Sequence, residues 1–263
     1  MITENIVLRP VKADNIIVPN RKAVVDTISN RVLGIVSNRY KVVKNDDLLK
    51  VVTPLATELG MNSTPQIISS RGGSITLFKF LGERNLTKEI QKGDLVQFGI
   101  EFFNSYSGSM PLGFHIIALR LVCTNGLVVP RSIRRLTIKH IGDASPNLVK
   151  KEVESYFGKT KEAISTWTRW SEVRPEMNRV KTFLSHSVGK RLQKNLSERY
   201  INLPEQDRTI WGLYNILTAY ITHDIKTRTQ DIKGLRQFRL GERFSNGLSK
   251  FFEPEVNNVS NKN

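Results

Sequence analysis

Residues 94–142, DLVQFGIEFFNSYSGSMPLGFHIIALRLVCTNGLVVPRSIRRLTIKHIG, decide the fold class. From Leu95 to Phe103 the pattern alternates: Val96, Phe98, Ile100 and Phe102 fall on one face, Gln97, Gly99 and Glu101 on the other. That is the period of a half-buried strand. Ser107-Gly108 supplies turn chemistry, and Leu112 to Val122 is apolar on both faces, as suits a strand in the middle of a covered sheet. Asn125-Gly126 signals a second hairpin. Arg131 to His140 is a third strand candidate with a cationic start. No carboxylate occurs from Phe102 to Ile141, so Arg120, Arg131, Arg134, Arg135 and Lys139 give this sheet a local charge of +5.

Upstream, residues 1–30 show no clear period beyond one short strand or turn near Ala23 to Ile28. Val32 to Val36 and Tyr40 to Val43 read as two strands around the turn Ser37-Asn38-Arg39. Asn45 or Asp46 caps an expected helix to Leu59 with Gly60 as its stop, and Pro54 should kink it or shift its start. Gln66 to Ser70 and Ser74 to Leu81 flank Arg71-Gly72-Gly73 as a hairpin. Downstream the period becomes helical: one stripe runs from Leu148 to Trp167, a second from Val173 to Leu192, and a third helix follows Leu203-Pro204.

Strands followed by helices predict an α+β fold: a curved antiparallel sheet with a crossing helix, then a mainly helical C-terminal half. The expected organisation is an N-terminal segment (1–30), a β-rich core with one helix (31–142), a helical part packed on that core (143–252) and a loose tail (253–263).

The 263 residues carry 40 Lys+Arg against 24 Asp+Glu, a net charge of +16. Such an excess repels itself unless it meets a polyanion, which points to nucleic acid or an anionic surface. No apolar run reaches the roughly 18 residues of a membrane span, and the N-terminus lacks a signal-peptide pattern. The expected location is therefore the cytoplasm, with no membrane partner. A single cysteine, Cys123, agrees with a reducing compartment.

Cations along a sheet face can neutralise phosphates while aromatics stack on bases. The expected nucleic-acid contacts are Arg120, Arg131, Arg134, Arg135, Lys139, His140, Arg71 and Lys79, with Phe102, Phe103 and Tyr106 as stacking platforms. The bland alternative is a solvated edge strand whose cations discourage sheet-to-sheet pairing. Further cationic series run from Arg179 to Arg199 and from Lys226 to Arg243, where a solvated helix face is the ordinary explanation. Catalysis has less to stand on. Cys123 with His115 or His140 could form a nucleophile and base, yet a lone cysteine closing an apolar strand is usually packing. The four histidines show no zinc spacing and no phosphate-binding G-x-x-x-x-G-K-[ST] loop is present, so neither a metal, a cofactor nor an enzymatic activity is expected.

Four segments together carry a resemblance: Val32-Leu33-Gly34-Ile35-Val36-Ser37-Asn38-Arg39-Tyr40-Lys41-Val42-Val43-Lys44-Asn45, Leu119-Arg120-Leu121-Val122-Cys123-Thr124-Asn125-Gly126-Leu127, Ile138-Lys139-His140-Ile141-Gly142, and Trp211-Gly212-Leu213-Tyr214-Asn215-Ile216-Leu217-Thr218-Ala219-Tyr220 with His223. In order and spacing they resemble the phage and plasmid family of domain of unknown function nine-three-two. The resemblance implies a phage or mobile-element context inside a host cell and assigns no activity. By fold analogy alone the expected architecture is similar to single-strand annealing proteins of the Rad-fifty-two type, which pair complementary strands in rings or filaments without ATP. The functional expectation is a homo-oligomeric protein that binds single-stranded DNA or RNA in phage recombination and annealing. The alternative is a basic effector docking on an acidic host protein.

Overall fold

The computed structural model describes residues 4–121, 125–128, 135–157, 160–225 and 230–260. Its elements are β1 (Ile6–Ala13), β2 (Ile16–Asp26), β3 (Arg31–Ser37), α1 (Asn45–Glu58), β4 (Gln66–Ser70), β5 (Ile75–Leu81), β6 (Thr87–Gln91), β7 (Asp94–Ser105), β8 (Leu112–Arg120), β9 (Asn125–Val128), β10 (Arg135–Ile138), α2 (Pro146–Phe157), α3 (Thr160–Glu172), α4 (Met177–Ser187), α5 (Lys190–Ile201), α6 (Ile210–Ala219), α7 (Gln230–Phe251) and α8 (Glu253–Ser260). The class is α+β with antiparallel sheets. One sheet runs β1-β2-β3; the other runs β10-β8-β7-β5-β4, with β6 also on β7 and β9 also on β8.

By its internal contacts the chain divides into two compact units. The first comprises Met1–Glu83, Gly99–His115 and Arg135–Phe157; the second comprises Arg84–Phe98, Ile116–Arg134 and Gly158–Asn263.

In the first unit, β5 alternates as its sequence requires: Phe78 and Phe80 are buried, while Ile75, Leu77, Lys79 and Leu81 on the other side are half-buried. Helix α1 buries Leu48, Val52, Leu55 and Ala56, an apolar stripe at helical spacing, with Asp46 and Asp47 in its first turn where the helix dipole favours them. Pro54 lies inside α1 and the helix continues to Glu58; the proline faces solvent. Gly60 follows with a positive φ of 81°. The inner face of the β1-β2-β3 sheet closes over Ile6, Val24, Leu33, Val36 and Tyr106. Gly34 is required there, because a Cβ would overlap the backbone of Tyr106 and Ser107.

A polar knot sits beside that core. The Tyr106 hydroxyl donates to the Glu4 carboxylate and accepts from the Asn45 backbone N–H at 2.8 Å. Asn45 Nδ2 reaches Glu4 at 3.0 Å and Thr76 at 3.2 Å, and Asn104 Nδ2 donates to Asn45 Oδ1 at 2.8 Å. Burial raises both the Glu4 carboxyl and the Tyr106 phenol above their ordinary pKa values.

In the second unit, α6 is buried over nearly its whole length, from Ile210 to Thr218. Thr209 caps it, its hydroxyl accepting from the Gly212 N–H at 3.1 Å. Gly212 admits no Cβ because the Asp207 carbonyl occupies that space. Trp167, Trp170, Trp211 and Tyr214 pack ring against ring, with Phe98 stacked on Trp167.

Several expectations need correcting. Residues 6–26 form two long paired strands rather than irregular chain. Strand β3 pairs with β2, and Tyr40 to Val43 are not a strand. The hairpin expected at Asn125-Gly126 is present as the antiparallel β8-β9 pair, but the two residues open its second strand, opposite Arg120 and Leu119. The second long helical stripe is cut in two between Ser187 and Lys190, where extended Val188 and Gly189 intervene. Among the described residues no helix is long and apolar enough to cross a membrane.

Candidate nucleic-acid interface

The expected cations divide sharply once their surroundings are known. Arg120 is structural. Its Nε lies 2.6 Å from Asp94 Oδ1, and the other oxygen of that buried carboxylate accepts from Trp211 Nε1 at 2.7 Å. A guanidinium held this way anchors the second unit's core and is not offered to a phosphate.

Lys79 lies opposite Glu101 in the β5/β7 register. Glu101 in turn lies 2.9 Å from His115 Nε2. Burial lowers the Lys79 amine, opposed by the Glu101 charge. For Glu101, burial alone would raise the carboxyl, but His115 and Lys79 together hold it below its usual value. Lys79 is therefore a half-buried amine in the field of Glu101 and not an exposed cation.

The stacking platforms fail for a simple reason. Phe102, Phe103 and Tyr106 are 0%, 1% and 1% exposed, because both faces of β7 are covered at the two phenylalanines and Tyr106, just past its end, lies in the core under the β1-β2-β3 sheet. Phe102 packs on Phe80 and Phe114, Phe103 on His115, and Tyr106 on the β1-β2-β3 sheet. His140 is buried as well. Its ring stacks on Tyr40 with centroids 4.7 Å apart, and its Nδ1–H donates to the Lys41 carbonyl at 3.0 Å. That arrangement leaves Nε2 buried with no partner among the described residues. Burial therefore holds the imidazole below its ordinary pKa, the Lys41 carbonyl opposing more weakly.

Two expected cations reach solvent. Lys139 is exposed, and the Lys41 N–H donates to the neighbouring His140 carbonyl at 2.7 Å, which brings exposed Lys41 beside it. Arg71 is exposed in the turn between β4 and β5, with a positive φ of 50°. Arg31 reaches the same turn: its Nη1 lies 3.6 Å from where a Gly72 Cβ would stand. Arg131 and Arg134 lie outside the described residues. Arg135 is placed by its backbone alone, opposite His115 in register. In the helical half, Arg179 pairs with Glu255 at 2.7 Å and Arg199 with Asp224 at 2.6 Å, whereas Lys181, Lys190, Arg191 and Lys194 are exposed. Of the third series, Lys226 and Arg228 lie outside the described residues.

Charge reading centred on the middle sheet missed the N-terminal one. Residues 6–44 hold eight Lys and Arg against two Asp. One of those, Asp26, is consumed as a cap: it accepts from the N–H groups of Asn5, Ile28 and Ser29 and from the Ser29 hydroxyl at 2.6 Å. The Ser29 hydrogen bond leads in holding its carboxyl below the usual range, against the effect of burial. In the first unit Arg9, Lys12, Arg21, Arg31, Arg39, Lys41, Arg71 and Lys139 are thus exposed, with no salt-bridge partner among the described residues. For the six of these within residues 6–44, the signal that could have found them was the eight-to-two ratio itself.

Among the described residues no group of three His, Cys, Asp or Glu side chains could hold a metal ion. Cys123 lies outside the described residues. No curated protein and no solved structure matches the chain, so the analogy with annealing proteins has no solved structure behind it. A family model does match, over residues 32–239, and by that match the chain belongs to the family described as Domain of unknown function (DUF932).

Proposed function

We propose that this protein binds single-stranded nucleic acid along its phosphate chain and supports strand pairing without ATP. One observation carries the reading: in the first unit the acids Glu4, Asp26 and Glu101 are spent on internal hydrogen bonds, while the eight cations named above face solvent unpaired. The outward charge is therefore more positive than composition alone implies, and a polyanion is its natural complement. The absence of a nucleotide-binding loop in the sequence is why the activity is placed outside ATP-driven work. With the three aromatic platforms buried, affinity on this reading comes from phosphates first.

The test is a titration of labelled single-stranded oligonucleotide across salt. Each lost phosphate contact should lower the slope of log affinity against log salt by about 0.7. The variant Lys41→Ala/Lys139→Ala should therefore lower it by about 1.4. Undetectable or salt-independent binding would end the proposal and leave the acidic-protein alternative in its place.

A further inference from the structure

The β1-β2-β3 sheet has a second face, turned away from the Ile6, Val24, Leu33 and Val36 cluster; Val25 in its middle strand is buried, and its β3 edge is open. Strand register assigns its residues. Val7, Val25 and Val32 form one cross-strand row; Arg9, Ala23 and Ile35 form the next; Arg21 and Ser37 follow. The extra residue at Leu33 is what lets Val32 face outward while Leu33 itself turns into the core, since the register shifts between Val24 and Val25. Val32 is 62% and Ile35 56% exposed, large values for β-branched aliphatics in regular strands. Arg9 and Arg21 are exposed beside them, on diagonal positions about 7–8 Å apart.

We infer that this outer face seats the unpaired bases of a single strand, with Arg9 and Arg21 holding its phosphates. The inference rests on the nucleic-acid reading above and names the surface that gives it strand preference. Charge selects the occupant. A second copy would bring one set of unpaired arginines against another, a like-charge juxtaposition that opposes association. A polyanion meets them favourably. Among polyanions, a duplex presents phosphates and keeps its base faces stacked inside, so exposed aliphatic side chains have nothing to cover. A single strand turns flat apolar base faces outward at the same spacing as its phosphates. A face that alternates cations with exposed isoleucine and valine fits that chemistry and gains little from a duplex.

The experiment measures anisotropy of a labelled oligothymidylate and of a duplex of equal length, with the full chain and three variants. Val32→Thr/Ile35→Thr keeps branched side chains at solvent-exposed positions. It should weaken single-strand binding roughly five- to tenfold and leave duplex binding and the salt slope unchanged. Arg9→Ala/Arg21→Ala should lower the single-strand salt slope by about 1.4. Ile35→Tyr adds a ring for stacking and should tighten single-strand binding several-fold, a gain that misfolding cannot mimic. If the protein binds nucleic acid but all three variants keep the parent's strand preference and slope, the assignment of this face is overturned and the proposed function stands. If neither oligonucleotide binds, both fall together.

Discussion

The two units put arginine to opposite uses at their best-defined positions, although the second also holds exposed arginines such as Arg174 and Arg191. In the second, Arg120, Arg179 and Arg199 each meet a carboxylate at 2.6–2.7 Å, and the carboxylate that holds the first, Asp94, also accepts from Trp211. In the first, Arg9, Arg21, Arg31, Arg39 and Arg71 reach solvent with no acid in ion-pair range among the described residues, while Glu4, Asp26 and Glu101 are spent on internal hydrogen bonds and exposed Asp14 pairs with none of them. The same side chain is a tie-rod in one place and an open contact in the other. The difference teaches that a net charge of +16 does not locate a binding surface; the fate of the acids does.

The largest expected effect breaks the second unit's side of this contrast. Asp94→Ala strands a mostly buried guanidinium and removes the acceptor of Trp211. It should cost about 3–5 kcal/mol, read as a lowered urea midpoint at unchanged slope. Next comes the first unit's knot. Tyr106→Phe deletes the hydroxyl shared by Glu4 and the Asn45 N–H, which keep their own contact at 2.9 Å, for a loss of about 0.5–1.5 kcal/mol by the same measurement. By contrast, Arg9→Ala, Arg21→Ala or Arg39→Ala should each change stability by less than about 0.5 kcal/mol, since exposed side chains without partners hold nothing together. A large loss at any of the three would show an internal role and remove it from the interface.

The smallest effect is a pH dependence. The His140 pKa is depressed in the folded state, so the unfolded chain takes up the proton first as pH falls. Its contribution is complete above the ordinary histidine pKa and lost progressively below it. Thermal midpoints should therefore fall between pH 7.5 and 5.5, and His140→Phe, which keeps a ring on Tyr40, should flatten that decline. An unchanged pH profile in the variant would show that the stacked imidazole is not the group being titrated.

Much of the fold was legible because it obeys simple periods. The β4-β5 hairpin around Arg71-Gly72-Gly73 and the alternation of β7 follow the sequence closely; α1 begins at Asn45, but the cap position is Lys44, without a side-chain cap, and the Asn45 side chain joins the polar knot instead. The β1-β2 pair was hidden by Pro10 and Pro19, residues that ordinarily argue against strands. Both are tolerated here because Pro10 lies on an edge strand next to a register shift, and Pro19 lies in the stretch of β2 that the shift leaves unpaired with β1. The site was less legible. Nothing in local spacing tells that Arg120 will meet Asp94, which is 26 positions away, or that His140 will lie under Tyr40. The aromatic residues of β7 looked available because a two-residue period marks which face a side chain is on, not whether a second layer covers that face.

The central claim is that unpaired cations of the first unit, and not the tied arginines of the second, meet a phosphate chain. Its most direct measurement is the salt slope of single-strand binding for Arg9→Ala/Arg21→Ala/Arg39→Ala/Lys41→Ala beside that of Arg199→Ala. The account predicts a slope lower by about 2.8 in the first and unchanged in the second. Equal slopes in both, or a drop confined to Arg199→Ala, would contradict it.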